Sequence, residues 1–223
     1  MRKYKIILVD EHGDEHEISE HEKIENLTIV AKEICEDNLI KIYKPAKFIK
    51  GCLLDLRGKG AKIILQSTKY AYNFQLLTAT GAINQKLCVG RDCSMWTNVH
   101  FNLTDDNAAI VIGDDCMISK NVDIWAGDGH ALIDTVTGKV INAGGGQITI
   151  GHHVWIGANV ILTKNAKVAD NSVIGTGGVV TKSFTESNIV LAGNPAVCIR
   201  KNIQWSRNRP LQYDIKNNKG SLT

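Results

Sequence analysis

Residues 150–184 read IGHHVWIGANVILTKNAKVADNSVIGTGGVVTKSF, and this stretch decides the fold. Ile150, Ile156, Leu162, Val168, Ile174 and Val180 stand six apart. Four places after each comes Val154, Val160, Ala166, Ser172, Gly178 and Phe184, all small but the last. Gly151, Gly157, Ala169 and Gly175 directly follow four of the leading aliphatics. A six-residue period suits neither an α-helix nor an alternating strand. It suits a chain that turns a corner every six residues and points one large aliphatic inward beside a small residue. Stacking such coils buries a column that no single coil could bury alone.

The period recurs upstream. Val89, Met95 and Phe101 form one run, with Cys93 and Val99 in the small slots. Ile112, Ile118 and Ile124 form another, with Cys116 and Val122 in those slots. The polar break Thr104–Asp105–Asp106–Asn107 separates them. Between Ile124 and Ile150 the spacing is not a multiple of six, so the coil is expected to eject a loop over about 126–147. Loops on a rigid scaffold are where chemistry concentrates.

Three motifs carry a family resemblance: Ile150–Gly157, Val173–Lys182, and Ala192–Gly193–Asn194–Pro195–Ala196 followed by Ile199–Lys201. Together they resemble the hexapeptide-repeat acetyltransferases, over about residues 86–205, and most nearly the branch that O-acetylates surface polysaccharides or sialic-acid polymers. The resemblance implies an all-β, left-handed parallel β-helix, an exception to the right-handed crossover rule. It implies residues 86–185 as the β-helix with its catalytic loop at 126–147, and 186–223 as a C-terminal segment whose end, Lys216–Thr223, is polar and expected to fray.

Residues 1–85 lack the period. Lys5–Val9 and Glu15–Ile18 flank the turn Glu11–His12–Gly13–Asp14 and read as a hairpin. Leu27–Val30, Leu39–Tyr43, Cys52–Leu56 and Lys62–Leu65 read as strands of either irregular early coils or a small separate sheet, and Lys32–Cys35 as a candidate helical turn.

The segment Asp128–Gly129–His130–Ala131–Leu132–Ile133–Asp134 resembles the family's catalytic loop. An alcohol is a poor nucleophile while it keeps its proton, and the resemblance makes His130 the base that removes it. Asp128 and Asp134 are candidates to orient the imidazole, or solvated loop carboxylates. Ala131 stands where the family's sugar enzymes usually have proline. The resemblance places the oxyanion donor at Gly157–Ala158. It places coenzyme A along Trp155, Gly157, Ala158, Thr176 and Gly177, with Thr181, Lys182 and Arg200 near the phosphates. His100, Asn102 and Asp106 match the acceptor side.

The implied reaction is acetyl transfer from acetyl-coenzyme A, a co-substrate, to a sugar hydroxyl of a polysaccharide or its precursor. No permanent cofactor is implied. N-acetylation of an amino sugar or small drug is the alternative within enzymes, and a non-catalytic scaffold the alternative outside them. The histidines of the repeat, His152 and His153, lack the His-x-x-x-x-His spacing of paired zinc ligands, so no metal is expected. A net charge of +3 with no basic stripe argues against nucleic acid. No apolar run reaches membrane-spanning length, and Ile6–Val9 is too short for a signal-peptide core, so the expected compartment is the cytoplasm. Six cysteines without Cys-x-x-Cys spacing fit that compartment as free thiols. The family packs three columns around an axis, which implies a homotrimer.

Overall fold

The computed structural model describes residues 2–19, 21–210 and 212. The tail Lys216–Thr223 lies outside them. Three sheets of nine, eight and seven strands run the length of the molecule, and the chain visits them in rotation. Asn38–Tyr43, Ala46–Phe48 and Cys52–Leu56 make one circuit; Lys62–Leu65, Thr68–Ala71 and Phe74–Thr78 make the next, directly above it. Pairing between coils is parallel throughout. Antiparallel pairs close the two ends: Tyr4–Val9 with Glu15–Ile18, and Val190–Gly193 with Ala196–Arg200. The strands of residues 1–85 therefore belong to the same three sheets as the repeat. Lys32–Cys35 is a turn closed by the Cys35 N–H donating to the Lys32 carbonyl, not a helix.

The six-residue step has a visible cause. His153, Asn159, Asn165, Asn171 and Gly177 all have positive φ, between 51° and 73°, and stand six apart. Asparagine tolerates this left-handed conformation better than most residues and glycine adopts it without penalty, so these residues set the corners. Between corners the leading aliphatics point inward: Ile150, Ile156, Leu162, Val168, Ile174 and Val180 are at most 2% exposed. Val154, Val160, Ala166 and Ser172 are fully buried beside them. Corner asparagines also bond along the column. Asn98 Nδ2 donates to Asn121 Oδ1 at 3.1 Å, and Asn121 Nδ2 to Asn159 Oδ1 at 3.0 Å.

Coil length varies, and that variation positions the site. Leu162 pairs with Val180, 18 positions on, whereas Phe101 pairs with Ile124, 23 on, and Ile124 with Leu162, 38 on. The surplus in the longest coil lies in residues 126–146, between the strands Val122–Trp125 and Gln147–Ile150. That connection holds one isolated antiparallel bridge, Ile133 with Val140. Beyond the last coil, residues 203–207 turn back along the second sheet. Among the described residues no helix is long and apolar enough to cross a membrane.

Candidate active site

His130 sits in the 126–146 connection, exposed, at a depression of about 190 Å³ lined also by Asp105, Gly129, Asn142 and Gly144. Its backbone is fixed from across the connection. Asn142 Nδ2 donates to the His130 carbonyl and to Asp128 Oδ2, both at 2.9 Å, while Asn142 Oδ1 accepts the Leu132 N–H at 2.8 Å. Lys164, on the next coil, reaches Asp128 Oδ2 at 3.1 Å and the Asn142 carbonyl at 2.7 Å. The Asp128 N–H donates to Asp105 Oδ2 at 3.1 Å, which ties the connection to the polar break below.

Neither loop carboxylate meets the His130 imidazole among the described residues. Burial works to raise the Asp128 carboxyl, but hydrogen bonds from Lys164 and Asn142 outweigh it and hold it below the usual carboxylate range. Asp134 closes its own turn, accepting from the Thr137 N–H, the Thr137 hydroxyl and the Val136 N–H. The Thr137 backbone and hydroxyl bonds lower its carboxyl. Asp128 is thus an anchor of the connection and Asp134 a local turn residue.

Where the sequence led us to expect the donor, Gly157 is buried, and its N–H already donates to the Ile174 carbonyl at 2.8 Å. A Cβ there would fall 2.7 Å from that carbonyl oxygen and 2.8 Å from the Thr176 nitrogen, so coil stacking itself demands glycine. Ala158 differs: its N–H meets no acceptor among the described residues, although its carbonyl accepts the Gly177 N–H. Of the two residues, only Ala158 has a donor to spare. Thr176 and Gly177 are exposed at the next corner. Thr181, Lys182 and Arg200 are exposed too, with Lys182 Nζ 5.5 Å from the Phe184 ring centre.

Trp155 is 38% exposed on the second sheet, its indole N–H 3.4 Å from Ser119 Oγ and its ring 6.1 Å from Trp205. His100 lies on the third sheet with Nδ1 2.8 Å from Asp123 Oδ1. Asn102 shares that strand and is 7% exposed. Asp106 does not join them: its carboxylate accepts the Ile83 N–H at 3.0 Å and its carbonyl the Gly145 N–H.

Sequence reasoning missed Asn142, Lys164 and Asp105 as anchors, and nothing in their local sequence announces them. It also missed Asp123 as the partner of His100. Here a signal existed: laying the run Val89–Phe101 under Ile112–Ile124 puts position 123 beside position 100.

No family profile matches the chain. Over 159 residues it is 32% identical to the polysialic acid O-acetyltransferase of Neisseria meningitidis, covering 67% of this chain and 74% of that one. Over 122 residues it is 34% identical to the polysialic acid O-acetyltransferase of Escherichia coli O1:K1 / APEC, covering 55% of this chain but only 38% of that relative's length. The crystal structure of the polySia-specific acetyltransferase NeuO superposes with a TM-score of 0.60 at 24% identity, over 86% of this chain and 99% of that one, a likeness of fold.

Proposed function

The chain belongs to the hexapeptide-repeat acetyltransferase family, that of the polysialic acid O-acetyltransferases, and on that premise we propose that it moves an acetyl group from acetyl-coenzyme A to a sugar hydroxyl. The observation that carries the reading is the setting of His130: its main chain is clamped by Asn142 while its imidazole stays exposed at the mouth of a depression.

In the proposed mechanism the neutral imidazole takes the proton of the acceptor hydroxyl as its oxygen attacks the thioester carbonyl. The oxyanion that forms is met by the free N–H of Ala158. Collapse of the intermediate expels the thiolate of coenzyme A, which takes the proton back from the imidazolium. The pantetheine arm lies along Trp155, Gly157, Thr176 and Gly177, and the phosphates near Thr181, Lys182 and Arg200. Asp128 and Asp134 act through the shape of the connection rather than through the imidazole. The assembly proposed is a homotrimer in the cytoplasm, where acetyl-coenzyme A is at hand.

The test is incubation with acetyl-coenzyme A and a panel of acceptors: sialic-acid oligomers, a simple galactoside, and an amino sugar. Mass spectrometry should find a hydroxyl of one of the first two acetylated. Transfer to the free amine alone would replace the reading with N-acetylation, and transfer to none would remove it. Sedimentation at the mass of a single chain would overturn the trimer.

A further inference from the structure

The last strand ends at Arg200, yet the chain does not leave the column there. The Ile203 N–H donates to the Asn188 carbonyl, and Asn188 Nδ2 donates to the Ile203 carbonyl, both at 3.0 Å. Four positions on, Arg207 donates to Ser94 Oγ at 2.7 Å and to the Cys116 carbonyl at 3.0 Å. Residues 203–207 therefore run down the second sheet, from the Asn188 coil to the Ser94 coil. Trp205 is carried between these two fixings, half-buried. Its ring stacks on His153 at 4.0 Å, its indole N–H donates to the His153 carbonyl at 2.7 Å, and the Arg207 guanidinium lies 5.7 Å from its centre. The next ring it meets is Trp155, centres 6.1 Å apart and planes at 45°. Ser119 Oγ, on the neighbouring coil, lies 3.4 Å from the Trp155 indole N–H. An indole on an outward sheet position has several staggered rotamers open to it. Here a polar partner and a second indole restrict Trp155, while 38% of it stays exposed.

We propose that Trp205 is a positioning residue for acetyl-coenzyme A: its ring presets the Trp155 indole against which the pantetheine arm packs. The co-substrate then meets a ring already in place and does not bear the cost of ordering it. The C-terminal segment, which lies outside the repeat, thereby becomes a determinant of donor affinity. It is not a determinant of the base. His130 sits in the connection between the third and first sheets, and residues 203–207 lie on the second. The inference rests on the proposed place of the pantetheine arm along Trp155 and goes beyond it by adding Trp205, which touches no substrate itself.

The probe is coenzyme A, titrated by calorimetry so that no acceptor is needed. The unaltered protein should bind it. Trp205→Ala should weaken binding about tenfold, and Trp205→Phe should recover most of the loss. Trp205→Leu, apolar but without a ring face, repeats the test if the alanine variant aggregates. In kinetics the acetyl-coenzyme A KM should rise alike, while kcat and the acceptor KM stay within about twofold, a split that a merely structural role would not produce. In a Trp155→Ala background, Trp205→Ala should bring no further loss, because it acts only through that ring. Equal affinity in the wild type and the Trp205 variants, or losses that add in the double variant, overturns the positioning role and leaves the acetyl transfer standing. A wild type that does not bind coenzyme A overturns the donor reading, and the role of Trp205 with it.

Discussion

The indole of Trp205 stacks on the imidazole of His153, ring centres 4.0 Å apart and planes within 11°. The Trp205 indole N–H donates to the His153 carbonyl at 2.7 Å, and two residues on, Arg207 donates to Ser94 Oγ, to Asp115 Oδ1 and to the carbonyls of Asp115 and Cys116. The C-terminal segment is thereby strapped across three coils. Trp205→Ala should release it at a cost of about 1–3 kcal/mol. Limited proteolysis should then clip the chain after residue 200 several times faster, while the column resists as before. Unchanged resistance would count against the strap.

The strap should loosen in acid. Burial works to raise the Asp115 carboxyl, but hydrogen bonds from His153 and Lys69 and the charge of Arg207 hold it below the usual range. A carboxyl depressed in the folded state contributes stability that is present above its unfolded pKa, about 3.9, and is lost as pH falls through the lower folded value. Tryptophan fluorescence should therefore change in a step below about pH 4. Asp115→Asn should lack that step, and a variant that retained it would move the titration to another group.

Removing the imidazole of His130 should lower kcat about a hundred- to ten-thousand-fold, the usual range for a general base. Affinity for acetyl-coenzyme A should hardly move in His130→Ala. Asn142→Ala tests the clamp rather than the base: kcat should fall less, about tenfold, because a misplaced base still accepts protons. Stopped-assay kinetics on both variants, with the acceptor that the wild type uses, reads the difference. Equal rates for His130→Ala and wild type would reopen His100 as the base.

Two glycines near the proposed donor side should fail in different ways. Gly157→Ala places a methyl group against backbone atoms at 2.7 and 2.8 Å and should cost about 1–3 kcal/mol in thermal unfolding. Gly177 has φ of 73° but open space around the position of a Cβ. Gly177→Leu should cost about 1–2 kcal/mol through the left-handed backbone and still fold. Its side chain then occupies the proposed path of the pantetheine arm, and calorimetry should show coenzyme A binding lost. Retained binding would move the donor site elsewhere.

The hexad from Ile150 to Val180 determined by itself a stack of coils that turn a corner every six residues, and the family resemblance supplied the left-handed β-helix. A column of buried aliphatics at that period is compatible with few other packings. Early coils escaped part of this reading: Ala46–Phe48, Thr68–Ala71 and Phe74–Thr78 went unseen as strands. Leu53 pairs with Gln75, 22 on, and Phe74 with Val99, 25 on, so residues added at the corners erase the period while the stacking survives.

The place of His130 in the connection was legible because its loop motif is local. Its surroundings were not. Asn142, Lys164 and Asp105 converge on the connection from 12 to 36 positions away, and which of them meets Asp128 depends on how one coil sits on another. Asp128 and Asp134 read alike in the sequence, yet one is drawn to Lys164 and the other closes its own turn. Periodic burial is written residue by residue and can be read from the chain. The pairing of polar side chains between coils is decided by register across 18, 23 or 38 positions, and only the stacked structure sets it.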